Sequence, residues 1–146
     1  MQNETAYSDL IKLIVTKRDS NILIEELSVL KSSLFKTDPK AFDEALNQSV
    51  RKKIADIILF YVSKGADKKA LVEYLEERFR KLPSLSLTIA FDPTVQVLDR
   101  IAKWVRDAKG EVLLELKIDR SIVCGAIVTF GGKFYDGGYA NLIKTL

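Results

Sequence analysis

Histidine is absent from this 146-residue chain, and cysteine occurs once, at Cys124. The first absence removes the commonest general base, Ser-His-Asp and Cys-His catalysis, and any zinc site built on imidazole. A lone cysteine forms neither an intramolecular disulfide nor a thiolate metal cluster. Phosphate-binding loops are missing as well. Gly131-Gly132-Lys133-Phe134 lacks the earlier glycine and the Ser/Thr after the lysine that such a loop needs, and no Gly-x-Gly-x-x-Gly follows a strand. The longest aliphatic and aromatic run outside Ile122–Phe130 is Ile57–Val62, far short of the about 20 residues of a membrane helix. No basic segment followed by an apolar core stands at the N-terminus, so no secretory signal is expected. Neither sign of charge dominates. Residues 1–83 carry 15 basic and 13 acidic side chains, and residues 84–146 carry 8 and 7, so charge along the chain announces neither nucleic acid nor a membrane surface.

What is present is apolar periodicity. Hydrophobic residues make up 47% of the chain, enough for one ordinary domain or two small ones. In the first half the period is helical. Tyr7, Leu10, Ile11 and Ile14 lie on one stripe of a helix over residues 5–18. Ser20 reads as the cap of a second helix, with Leu23, Leu27, Leu30 and Leu34 behind it, running to about Phe35. Thr37-Asp38-Pro39 reads as the start of a long third helix to about Ser63, with Phe42, Leu46, Val50, Ile54, Ile57, Ile58 and Tyr61 as its stripe. The polar run Asn47-Gln48-Ser49 is where that helix would break. Gly65 ends it, and Asp67 caps a fourth helix to about Lys81.

After Pro83-Ser84 the period changes to two. Leu85, Leu87, Ile89 and Phe91 alternate with Ser86, Thr88 and Ala90, which predicts a strand. Asp92-Pro93 opens a helix to about Ala108, with Val97, Leu98, Ile101, Trp104 and Val105 inward. Val112, Leu114, Leu116 and Ile118 then alternate with Glu111, Leu113, Glu115 and Lys117, predicting a strand with one buried face. Asp119-Arg120-Ser121 supplies turn residues, and Ile122–Phe130 reads as a strand buried on both faces. Gly131-Gly132 breaks it, Lys133-Phe134-Tyr135 forms a short strand, and Asp136-Gly137-Gly138 closes it. Antiparallel strands joined by tight turns are the simplest arrangement. Residues 139–146 read as a terminal helix. The expected fold is α+β: an antiparallel helical bundle over 1–82, then a small β-α-β-β unit over 84–146.

Three candidates for chemistry have plainer explanations. Glu111 and Glu115 share a strand face and paired carboxylates can do acid-base work, but beside Lys117 they make an ordinary solvated face. Cys124 in an apolar strand is a small buried hydrophobe before it is a nucleophile. Trp104 fills a core before it serves as a binding hot spot. Gly125 inside a strand implies a bulge or a close backbone approach. No catalytic residue, metal site or cofactor is assigned.

The stretch Glu111–Gly138 resembles the C-terminal signature of the delta subunit of F-type ATP synthases, the oligomycin-sensitivity-conferring protein family. Asp119 and Ser121 match its Asp-x-Ser, Ile122-Val123 its aliphatic pair, Gly125 the second glycine, Gly131 or Gly132 the later one, and Tyr135-Asp136-Gly137 its close. Cys124 stands where the first glycine belongs, and Gly138-Tyr139 where Ser-Val-Arg often follows. The order of helices then strands is also the family's, though four helices are counted where the family has about six. The resemblance implies a non-catalytic peripheral-stalk subunit. Its bundle would hold the N-terminal helices of the alpha subunits, and its C-terminal unit the ends of the b subunits. By position the alpha-subunit groove would be lined by Tyr7, Leu10, Ile14, Ile54, Ile58 and Tyr61. The location implied is peripheral, on the cytoplasmic face of a bacterial plasma membrane or on an organellar inner membrane. Two other readings stand beside it: a stalk subunit of a vacuolar or archaeal-type rotary ATPase or a related secretion-ATPase regulator, and a small enzyme using Glu111 and Glu115 or Cys124.

Overall fold

The computed structural model describes residues 2–121, 126–130 and 133–137. The fold is α+β and rich in helix. Its elements are α1 (Gln2–Leu13), α2 (Lys17–Ser33), α3 (Ala41–Ser49), α4 (Lys52–Ser63), α5 (Lys68–Lys81), β1 (Ser84–Ile89), α6 (Val95–Lys109), β2 (Leu113–Ile118), β3 (Ala126–Phe130) and β4 (Lys133–Gly137). They divide into two compact units. One holds residues 1–14 and 19–81; the other holds residues 15–18 together with those from Leu82 onward.

In the helical unit, α1 ends at Leu13, five residues earlier than the apolar stripe suggests. The next three residues, Ile14-Val15-Thr16, are all β-branched and give up χ1 freedom in a helix. Thr16 instead makes a parallel bridge to Leu114, and the Val15 carbonyl accepts the Leu114 N–H at 2.9 Å. Starting at Lys17, α2 therefore holds Ser20 in its interior and not at its cap; the Ser20 hydroxyl is buried and has no partner among the described residues. The long third helix is two helices. Val50 is extended (φ −120°, ψ 136°) and Arg51 follows at φ −55°, ψ 138°. The break falls just after the polar run, where Glu26 of α2 meets it. That carboxylate is buried and accepts the Arg51 backbone N–H at 2.9 Å and its Nε at 3.0 Å. A backbone donor freed by the kink is thus satisfied from another helix.

Pro39 lies in the turn before α3 and not in its first turn. Gly65, at φ +99°, terminates α4, with Gly65 N–H donating to the Val62 carbonyl and Ala66 N–H to that of Tyr61. The Asp67 carboxylate caps α5 through the Ala70 N–H at 2.8 Å. Tyr7 and Phe79 stack at a tilt, 5.2 Å between centroids, so α1 and α5 share the core with α4.

In the second unit, β1 alternates as its sequence does, with Leu85, Leu87 and Ile89 buried. It ends at Ile89, and Phe91 is exposed. Thr94, not Asp92, caps α6, its hydroxyl accepting the Val97 N–H at 3.3 Å, and Gly110 at φ +82° closes the helix. The strand order is β2-β1-β3-β4. Here the tight-turn expectation fails: β2 pairs in parallel with β1, and β1, not β2, pairs antiparallel with β3. A parallel pair needs a long crossover, and α6 supplies it. The remaining pair, β3 with β4, is antiparallel. Val15, Leu85, Leu87, Ile89, Ile101, Ala102, Val105, Val112 and Leu114 form the sheet-side core, with Trp104 packed against it. Leu113, assigned by alternation to the outer face, is fully buried, whereas Ile118, assigned inward, is 48% exposed.

Candidate functional site

The six residues proposed to line a partner groove fall where α1 meets α4, and they are closed off. Tyr7, Leu10, Ile14, Ile54, Ile58 and Tyr61 are all buried. They form packed core, so a partner helix reaches them only by parting the helices. The Gln2 side-chain amide donates to the Lys64 carbonyl at 3.1 Å, tying the start of α1 to the end of α4.

One polar group marks the rim of that contact. The Tyr61 hydroxyl donates to Asp9 Oδ2 at 2.6 Å, while Lys12 Nζ lies 3.4 Å from Oδ1. The Tyr61 hydrogen bond, aided by Lys12, holds the Asp9 carboxyl below its ordinary range against a smaller push from lost solvent. The same bond raises the Tyr61 phenol, with desolvation adding to it. Both shifts widen the gap between acid and phenol. That suits a structural bond and does not poise either group for proton transfer near neutrality.

The outward side of α4 is more open. Leu59 and Phe60 are 52% and 53% exposed, and Phe60 stacks edge-on against Tyr61 at 5.1 Å. This pair was assigned no role from sequence, because the run Ile57–Val62 is apolar throughout and its period cannot separate core from surface. A second concavity, of about 400 Å³, lies between α2 and α3. Its wall is mixed: Ser28, Ser32 and Ser49 with Val29 and Ala45, and Lys36 against Asp38 and Glu44.

In the second unit the structure brings two signature residues together. Asp119 Oδ1 accepts both the Ser121 N–H at 2.9 Å and the Ser121 hydroxyl at 2.6 Å, and these bonds hold the Asp119 carboxyl below its ordinary range. The Asp119 N–H donates to the Ile89 carbonyl at 2.9 Å, fixing the turn to the end of β1. This turn is not a hairpin; it is the exit from β2. Asp136 and Gly137 lie within β4, in register with Ile127 and Ala126, and do not close it as turn residues. Tyr135 is in register with Val128. Cys124, Gly125 and the terminal segment 138–146 lie outside the described residues. Glu111 and Glu115 are both exposed.

Among the described residues no group of three His, Cys, Asp or Glu side chains is placed to hold a metal ion, and no helix is long and apolar enough to cross a membrane. No protein-family model and no curated protein matches the chain.

Proposed function

We propose that this chain is a peripheral-stalk subunit of an F-type ATP synthase: an antiparallel helical bundle followed by a β-α-β-β domain with a terminal helix. The observation that carries the reading is the order of the two units. Helices come first, then a sheet whose β2 ends in the hydrogen-bonded Asp119-x-Ser121 turn within the signature stretch. Such a subunit is mechanical. It ties the catalytic head to the b subunits so that rotor torque does not spin the head. It needs surfaces and no catalytic group.

The burial of the six groove candidates moves the proposed alpha-subunit seat outward, to Leu59 and Phe60 on α4. An amphipathic helix docks through spaced apolar anchors, and two half-exposed large side chains on consecutive positions offer such a seat. The b-subunit ends belong on the second unit.

The test is a pair of captures on the full chain, one with an N-terminal peptide of the alpha subunit and one with a C-terminal b-subunit fragment. Because both side chains are half exposed, Leu59→Asp with Phe60→Asp should keep the helices, and circular dichroism checks that. The double variant should abolish alpha capture and spare b capture. A folded wild-type chain that captures neither partner defeats the assignment.

A further inference from the structure

Charge counted along the chain is even, but folding concentrates it. The α2–α3 connection, residues 34–40, and the α4–α5 connection with the start of α5, residues 64–69, are brought together by two cation–π contacts. Lys69 Nζ lies 5.9 Å from the Phe35 centroid, and Lys68 Nζ lies 4.7 Å from that of Phe42. These two segments hold Lys36, Lys40, Lys64, Lys68 and Lys69 against Asp38 and Asp67, a net +3, and the first turn of α3, next to Phe42, adds the exposed Asp43 and Glu44. Neither Asp38 nor Asp67 neutralises a lysine. Asp38 Oδ1 accepts the Lys40 backbone N–H at 2.9 Å, and Asp67 Oδ1 accepts that of Ala70. Among the described residues none of the five lysines joins an ion pair within 4.0 Å. Phe35, in their midst, is 72% exposed.

We infer that this end of the helical unit is a docking surface for an acidic polypeptide segment that also carries an aromatic or aliphatic residue. The carboxylates would pair with the lysines and the apolar residue would cover Phe35. Rings that hold Lys68 and Lys69 in place reduce the side-chain entropy lost when those ammonium groups meet a carboxylate. Nucleic acid fits less well. One side of the Phe35 ring is already taken by Lys69 and Phe42 is buried, so there is no run of open rings on which successive bases could stack. A lipid surface fits less well too, because interfacial binding needs a broad apolar face and here one phenylalanine stands among lysines. The cleft between α2 and α3 shares Lys36 and Asp38 with this surface and adds Glu44, so the acidic segment is expected on the Phe35 and Lys69 side. Lys64 lies 5.6 Å from the Phe60 centroid, so this surface adjoins the Leu59–Phe60 seat, but the inference does not depend on the stalk reading.

The experiment titrates the full chain with a fluorescein-labelled glutamate-rich peptide bearing one central phenylalanine. Its comparators are the same peptide with glutamine for glutamate, a single-stranded oligothymidylate, and phosphatidylserine vesicles. The acidic peptide should bind, more weakly as salt rises, and the glutamine peptide should not. Lys36→Glu with Lys69→Glu should weaken binding about tenfold, the scale of two solvent-exposed ion pairs. The charge-matched control Lys52→Glu with Lys53→Glu, at the other end of α4, should leave it unchanged. Phe35→Ser should weaken binding without altering the circular dichroism. Absence of acidic-peptide binding overturns the inference. So does an equal effect of the two charge reversals, or oligothymidylate or vesicles binding as tightly as the peptide.

Discussion

Removing the Glu26 carboxylate should open the junction between α3 and α4. Glu26 is 8% exposed in its side chain and accepts three donors of Arg51: the backbone N–H, Nε, and Nη2 at 3.1 Å. Glu26→Ala leaves the backbone N–H without its acceptor at a point where Val50 is extended and no helical carbonyl can take it. An unsatisfied buried donor costs about 1–3 kcal/mol. Removing one member of a fully buried ion pair costs about 3–5 kcal/mol. The Arg51 side chain is 38% exposed and can turn to water, which places the expected loss below that range, at about 2–3 kcal/mol. Glu26→Gln keeps an acceptor for the backbone N–H and loses only the charge, so about 1 kcal/mol is expected. Urea unfolding followed by far-ultraviolet circular dichroism measures both. The signal reports helix, and all five helices of the first unit contribute to it. The reasoning is refuted if the two variants unfold at the same urea concentration, or if neither moves the midpoint, because the kink would then need no acceptor from α2.

Further outcomes follow from other sites. Gly65→Ala should cost about 1 kcal/mol from φ +99° alone, since an added Cβ meets nothing within 4 Å; thermal unfolding checks it. Tyr61→Phe removes the bond to Asp9 and should destabilise the chain only within a pH window. Asp9 is lowered from 3.8, so its share is present above that value and is lost as pH falls through the folded pKa. Tyr61 is raised from 10.0, so its share is present below that value and is lost as pH rises through the folded pKa. Urea midpoints of wild type and variant across pH should therefore differ near neutrality and converge at both ends. Val15→Ala should destabilise the second unit by about 1–2 kcal/mol. Trp104 fluorescence, which reports the core that Val15 helps form, detects that loss. Purified chain should show no ATP hydrolysis, and turnover that co-purifies with folded protein would contradict the stalk proposal.

What was legible in the sequence was local. Gly65, Asp67 and Gly110 stop or start helices where their chemistry says, and Leu85, Leu87 and Ile89 alternate in the structure as in the sequence. What was not legible depends on partners distant in the chain. The polar run before Val50 hinted at a break, but the acceptor for the Arg51 N–H freed there, Glu26, lies 25 residues earlier. Asp119-Arg120-Ser121 is a sound turn, and nothing local in it says that β1 will occupy the place beside β2. The buried stripe of α1 and α4 was found correctly as apolar, yet periodicity does not distinguish packed core from an open groove. The basic end escaped a count along the chain because its two segments become neighbours only when Lys68 and Lys69 settle on Phe42 and Phe35.

The excursion of residues 15–18 bears on how a tether would carry load. With a single connection after Lys81, force on the second unit would enter the helices only at the end of α5. Because Val15 and Thr16 pair with Leu114 of β2, the backbone passes between the units three times, before Val15, after Arg18 and after Lys81. In a stalk, pull on β2 would then reach the end of α1 and the start of α2 through the chain as well. The hydrogen bond from Leu114 to Val15 and the burial of Val15 in the sheet-side core anchor that excursion in the second unit. If the stalk proposal holds, a mutation at Val15 is therefore the one that should weaken mechanical coupling without altering Leu59 or Phe60. That separates a tether from an ordinary binding module, in which affinity alone decides the outcome.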